Sequence, residues 1–145
     1  MCLHIDPNNN TLHTADKDIV CYKVVLAKYG KHGTPAFISD YYDFIYTLGK
    51  EYAEERFQTA PYGNGTIALG FHSFNKLKNA VAEAEESNYD YALLRCIIPA
   101  GARYWDGEDA LGVAKERCSE KIRVVGWKRL RATRWHYAPG YKIKD

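Results

Sequence analysis

His72 and Ser73 stand where a strand hands over to a helix. The stretch Gly70-Phe71-His72-Ser73-Phe74 reads as the end of a strand. From there Phe74, Leu77, Val81 and Ala84 recur at three- and four-residue steps, which is one apolar helical stripe. Ser73 is a good N-cap, because its hydroxyl can accept from an orphan N–H of the first helical turn. Side chains at such a junction are held rigidly and can still reach a cleft, so His72 and Ser73 are candidate site residues. Lys23 is the next candidate. It interrupts the face Ile19, Cys21, Lys23, Val25 of an otherwise apolar strand. Its stem can snorkel to a rim, or its ammonium can point into a ligand cleft. Arg95 and Arg103 lie within and just beyond the most hydrophobic run of the chain. Lys23, His72, Arg95 and Arg103 are the groups that could hold the phosphates of a nucleotide, with tyrosines stacking on its base.

The elements that must position these residues follow from pattern. Residues 1–17 are polar and turn-rich, with Asp6-Pro7-Asn8-Asn9-Asn10 marking a loop. Residues 18–26 read as a strand by their β-branched and aromatic content. Residues 37–46 carry five aromatics and suit either a short helix or a partly buried strand. Gly49 can supply a turn or bulge. Thr66 to Phe71 is a short strand leading into the main helix, expected over about 74–87. The acids Glu83, Glu85 and Glu86 sit at the unfavourable end of the helix dipole, so tertiary contacts must hold it. Ala92 to Ile98 is the expected central strand, ended by Pro99. Ala102 to Trp105 is a short strand, and Ala110 to Cys118 is expected to form one or two helical turns. Residues 121–127 alternate basic and apolar, as a strand with one wet face does.

A chain of 145 residues can bury a real core as a single domain. The expected class is α+β: a mostly antiparallel twisted sheet, one main helix and short extra helices. The net charge of +2 is too small to argue for nucleic acid by itself. No apolar run approaches the length of a membrane-spanning helix. Met1-Cys2-Leu3-His4-Ile5-Asp6 lacks the basic-then-apolar pattern of a signal peptide, so a cytoplasmic setting is expected. Cys2, Cys21, Cys96 and Cys118 are scattered, with no Cys-x-x-Cys pair, and neither a structural metal nor a resident cofactor is expected. Residues 128–145 form a basic, aromatic C-terminal segment. It can contact phosphates and stack on bases, or be an edge strand protected by its charge. The second reading is preferred, because no partner motif accompanies the charge.

The order of these pieces resembles a family of small proteins of bacteriophages and their gut-bacterial hosts. The resemblance runs through Tyr22-Lys23, Leu48-Gly49-Lys50-Glu51-Tyr52, Gly70 to Phe74, Cys96 to Tyr104 and Ser119 to Val124, over roughly residues 18–127. That family brings no assigned activity. More distantly, the order is similar to the ADP-ribosyltransferase fold. The resemblance to that fold implies an NAD-holding position at Tyr22 or Lys23, a ribose-orienting serine at Ser73 beside His72, and a catalytic carboxylate at Glu120. Breaking the nicotinamide–ribose bond develops positive charge that a carboxylate would stabilise.

The expected function is non-catalytic binding of a nucleotide or NAD-derived ligand, as in sequestering a host defence signal. The alternatives are a mono-ADP-ribosyltransferase or NAD glycohydrolase using Glu120 and Ser73, and a module that blocks a host protein through its tyrosines.

Overall fold

The structure is a computed structural model describing residues 3–6, 8, 10–29, 35–39, 44–86, 90–109 and 111–142. Its elements in chain order are β1 (Leu3–His4), β2 (His13–Thr14), β3 (Ile19–Tyr29), β4 (Pro35–Ile38), β5 (Ile45–Tyr46), β6 (Glu51–Ala53), β7 (Thr66–Ile67) and β8 (Phe71–Phe74). Then come α1 (Leu77–Glu85), β9 (Tyr91–Ile98), β10 (Arg103–Glu108), β11 (Lys115–Ser119), β12 (Lys121–Arg129) and β13 (His136–Tyr137). The strands form one thirteen-stranded sheet, with a main path β13-β12-β9-β3-β8-β11-β10-β1-β7 and antiparallel pairing.

The α+β expectation is overturned. Among the described residues, 48% are strand and 7% helix, a β-rich fold with one short helix. Two local competitions account for the difference. The segment expected as helical turns is Ala110 to Cys118; Ala110 lies outside the described residues, and the rest instead runs into β11. There Glu116 and Cys118 are buried and the backbone is committed to β8 on one side and β10 on the other. The main helix also starts later than its apolar stripe suggests. Phe71 to Phe74 pair with β11 along their whole length and touch Tyr22 of β3 on the other edge. Those amides cannot serve a ladder and a helix together. The N-cap is therefore Lys76, in extended conformation and with no side-chain cap bond, so Ser73 is a strand residue and caps nothing. The polar N-terminal segment also joins the sheet, through β1 and β2.

The sheet curves. Phe37 of β4 and Trp127 of β12 have ring centroids 5.3 Å apart, although β3 and β9 lie between their strands. A flat sheet would separate the two backbones by about 14 Å. The concave face buries Cys21, Val25, Phe37, Leu94, Cys96 and Val124, with Tyr46 and Tyr52 packed in edge-to-face contact over it. On the opposite face, α1 covers one end through Ala80 and Ala84, against Phe74, Tyr91 and Leu93. This burial holds a helix that has no basic residue in its last turn to offset the dipole. A smaller core of Leu3, Ile5, Phe57, Ile67, Trp105 and Cys118 lies at the β1–β7 end.

No helix among the described residues is long and apolar enough to cross a membrane.

Candidate ligand-binding site

Gly70 sets the path of the stretch that carries His72 and Ser73. Its φ is +152°, and a Cβ there would come within 2.5 Å of Cys118 Sγ. Beyond it β8 alternates its side chains. Ser73 points to the concave core, where it is buried. Its hydroxyl faces the Cys21 thiol, a weak partner, and makes no other hydrogen bond. His72 points to the other face. Its Nε2 lies 2.9 Å from the Ala68 carbonyl oxygen, while Nδ1 is buried without a partner. Burial pulls its pKa down to about 4, so the ring is neutral at physiological pH and Nε2–H donates to Ala68.

Lys23 does not open into a cleft. Its ammonium donates to the His72 carbonyl and lies 5.4 Å from the centroid of the Tyr46 ring. Burial opposes the charge, and the Tyr46, Cys96 and Cys21 groups around it outweigh that, so Lys23 is held above the ordinary lysine value. Cys21 and Cys96 are directly opposite in the β3–β9 register. Burial pushes Cys21 up to about 11 and Cys96 well above an ordinary thiol. Both therefore remain protonated, poor nucleophiles.

Glu120 is taken up by Arg103. Arg103 Nη2 donates to Oε2 at 2.9 Å and Nε at 3.2 Å, and the Arg103 backbone N–H donates to Oε1 at 2.9 Å. These bonds, the guanidinium's above all, hold the Glu120 carboxyl below the usual carboxylate range. Glu120 and Arg103 thus form a clamp between the start of β10 and the β11–β12 turn. Tyr22 and Arg95 are brought together, opposite each other in register on the face that carries α1. The next residue in that row is Gly126 of β12, with Tyr137 of β13 beyond it. Arg95 Nε is buried and unpartnered.

None of these residues lines a groove of about 1170 Å³ formed among the described residues. Its floor is Val20, Ile97 and Val125, on the sheet face of Tyr22 and Arg95 but beyond the end covered by α1. One wall is the turn Leu48-Gly49-Lys50, tied to β12 by Gly49 N–H donating to Val124 O at 2.7 Å. The other is the segment 138–142, tied by Ala138 N–H donating to Val125 O at 2.9 Å. Lys17, Lys50, Arg123 and Lys142 line the groove, against one carboxylate, Asp18. Asp18 offsets one of the four charges, leaving the lining net cationic. Its Oδ1 accepts from Ala100 N–H, and its Oδ2 is 4.0 Å from Arg123 Nη2. Arg123 Nε is buried without a partner. Tyr141 adds an aromatic ring at the edge. Such a lining can hold phosphate or carboxylate groups on its cations and an apolar or flat moiety on its floor.

No family model, curated protein or solved structure matches this chain.

A second cleft, of about 570 Å³, is lined by His4, Asp6, Asn75, Asp106, Glu108, Lys115 and Arg117. Its two cations are both taken up by carboxylates: Arg117 Nε donates to Asp106 at 2.8 Å, and Lys115 pairs with Glu108, which leaves Asp6 as a surplus acid. Beside it, on β11, lies a residue that sequence pattern does not single out. Glu116 is 1% exposed and its Oε2 has no partner. Burial first, then the Asp109 and Glu83 carboxylates, push its pKa up to about 7.

The groove residues had one visible signal in sequence. From Lys121 to Lys142 there are seven lysines and arginines and no acidic residue. That asymmetry is hidden in the net charge. Lys17 and Lys50, which complete the groove, have no sequence signal, because only the sheet brings them to Arg123.

Proposed function

We propose that the protein is a non-catalytic binding module for a small anionic ligand of the nucleotide or NAD-derived class, held in the groove between β12, the 48–50 turn and the 138–142 segment. The observation that carries this is the pairing of four cations and one carboxylate with an apolar floor in a cleft roomy enough to admit a nucleotide. The chemistry of the other candidates supports binding over turnover. Glu120 has both oxygens engaged by Arg103. Lys23 is charged and turned inward, and the Cys21 and Cys96 thiols stay protonated. Binding without turnover suits sequestration of a ligand.

The test is a thermal-shift and calorimetric screen of ADP, NAD, ADP-ribose and cyclic nucleotides. At least one should raise Tm, and Lys50→Glu and Lys142→Glu, both at exposed positions, should each weaken it by about tenfold, the loss of one charge-assisted contact. His72→Ala and Glu120→Gln should leave affinity unchanged. No stabilisation by any of these ligands, or stabilisation indifferent to both groove variants, overturns the proposal.

A further inference from the structure

Four aromatic rings lead away from the groove on the same sheet face. Tyr141, at the groove edge, lies 5.5 Å from Tyr137. Tyr137 stacks with Trp135 at 6.4 Å and 26°, and Trp135 contacts Tyr22 at 6.4 Å. The rings are half-buried, so each is seated on the protein and still presents surface. Tyr137 packs against Gly126, where an added Cβ would come within 2.9 Å of its ring. Beneath the ladder runs Arg95, in one row with Tyr22 and Gly126. Lys128 Nζ sits 5.5 Å from the Trp135 ring centroid, and Arg131 and Arg134 are exposed on the turn that leads to the ladder. With Arg123 and Lys142 in the groove, these belong to the run of seven cations without a carboxylate.

Resting on the groove as a nucleotide site, we infer that its ligand is polymeric: the groove is one end of a track for single-stranded nucleic acid, which continues over the Tyr141–Tyr137–Trp135–Tyr22 ladder. A mononucleotide needs one stacking surface and a few cations, and the groove already supplies both. The ladder and the 128–134 cations extend the same chemistry past what a single nucleotide can reach. Interleaved rings and cations are how single strands are held without base readout, because every base has a face to stack and every linkage a charge. Lys128 beside Trp135 adds a cation–π contact of the same kind.

The experiment uses the full chain and fluorescence anisotropy with labelled oligo-dT and oligo-U of about twelve nucleotides, within the span such sites cover. The matching mononucleotides are measured by calorimetry, and polyglutamate serves as competitor. The oligonucleotides should bind at least about tenfold tighter than the mononucleotides. Their affinity should fall by about tenfold or more between about 50 and about 200 mM salt. The double variant Arg131→Glu/Arg134→Glu lies outside the groove. It should weaken oligonucleotide binding by about tenfold while leaving mononucleotide affinity and Tm unchanged. Tyr141→Ala should weaken both ligands. Mononucleotides that bind as well as oligonucleotides, or a double variant that binds them like wild type, would sink the track and leave the groove reading standing. Polyglutamate that competes as well as an unlabelled oligonucleotide would also sink it, since the ladder would then contribute nothing. If neither ligand form binds, both readings fall.

Discussion

The Ser73 hydroxyl is buried beside a protonated thiol and makes no other hydrogen bond. Removing it costs no cap and leaves no partner orphaned. Ser73→Ala should therefore leave stability within about 1 kcal/mol of wild type, on the stabilising side if it moves. Urea denaturation checks this, and a loss above about 2 kcal/mol would mean the hydroxyl bonds more strongly than its geometry allows. Two other buried groups on the opposite face work against each other. Glu116 has its pKa raised from 4.5 to about 7, so the native state keeps a proton that the unfolded chain gives up. Stability from this group is complete below pH 4.5 and is lost as pH rises towards 7. His72 is lowered from 6.5 to about 4, so the native state refuses a proton that the unfolded chain accepts. Its stability is complete above pH 6.5 and is lost as pH falls towards 4. Between these limits the two slopes, each about 1.4 kcal/mol per pH unit at most, have opposite sign. The wild type should be nearly flat from pH 4.5 to 6.5. Glu116→Gln should unmask a rise in stability with pH, and His72→Gln a fall. Denaturation midpoints at three pH values in that window decide it. Parallel profiles for the two variants would show that one of the groups is solvated in the native protein.

At the scale of elements, the junction of β8 and α1 and the pairing of β12 with β13 show how neighbours override local preference. The stripe Phe74, Leu77, Val81, Ala84 is genuinely helical in spacing, and α1 does bury Ala80 and Ala84. Phe74 nonetheless remains in a strand, because its backbone is paired with Glu116 of β11 and Tyr22 of β3. On β12, the register shifts between Val124 and Gly126, and the glycine leaves room for the Tyr137 ring. Gly126→Ala should push Tyr137 and β13 off the sheet. A cost of about 1–3 kcal/mol is expected, as for other overpacked sites. Ligand binding should weaken at the same time, since the segment that follows β13 forms a groove wall. Thermal melts paired with calorimetry test the coupling. A variant that loses stability and binds normally would separate β13 from the site.

For the whole molecule, a net charge of +2 conceals a polar distribution. The seven cations of residues 121–142 are set against a remainder that is net acidic. The fold gathers part of that basic run with Lys17 and Lys50 around one groove and leaves the second cleft with both its cations paired to carboxylates. The long strands were legible without coordinates: β3 from its β-branched and aromatic content, β9 as a continuous apolar run buried on both faces, and β12 from its alternation of basic and apolar residues. The helix was legible from its stripe, although not its start. The extra helical turns were not, because a short segment such as Lys115–Ser119 takes its conformation from the strands beside it. For the site, Tyr22, Lys23, His72, Ser73, Arg95, Arg103 and Glu120 could each be picked out by residue type. Whether such a residue opens to solvent, clamps a turn or lies under a ring depends on partners far away in the chain. Sequence alone determined the long strands, the apolar stripe of α1 and the basic C-terminal run, all of which are local properties of composition and spacing. Only the tertiary structure decided that Glu120 belongs to Arg103, that Lys23 turns inward to the His72 carbonyl, and that Lys17, Lys50, Arg123 and Lys142 share a groove. Antiparallel pairing over tens of residues sets those distances, and no local pattern encodes them.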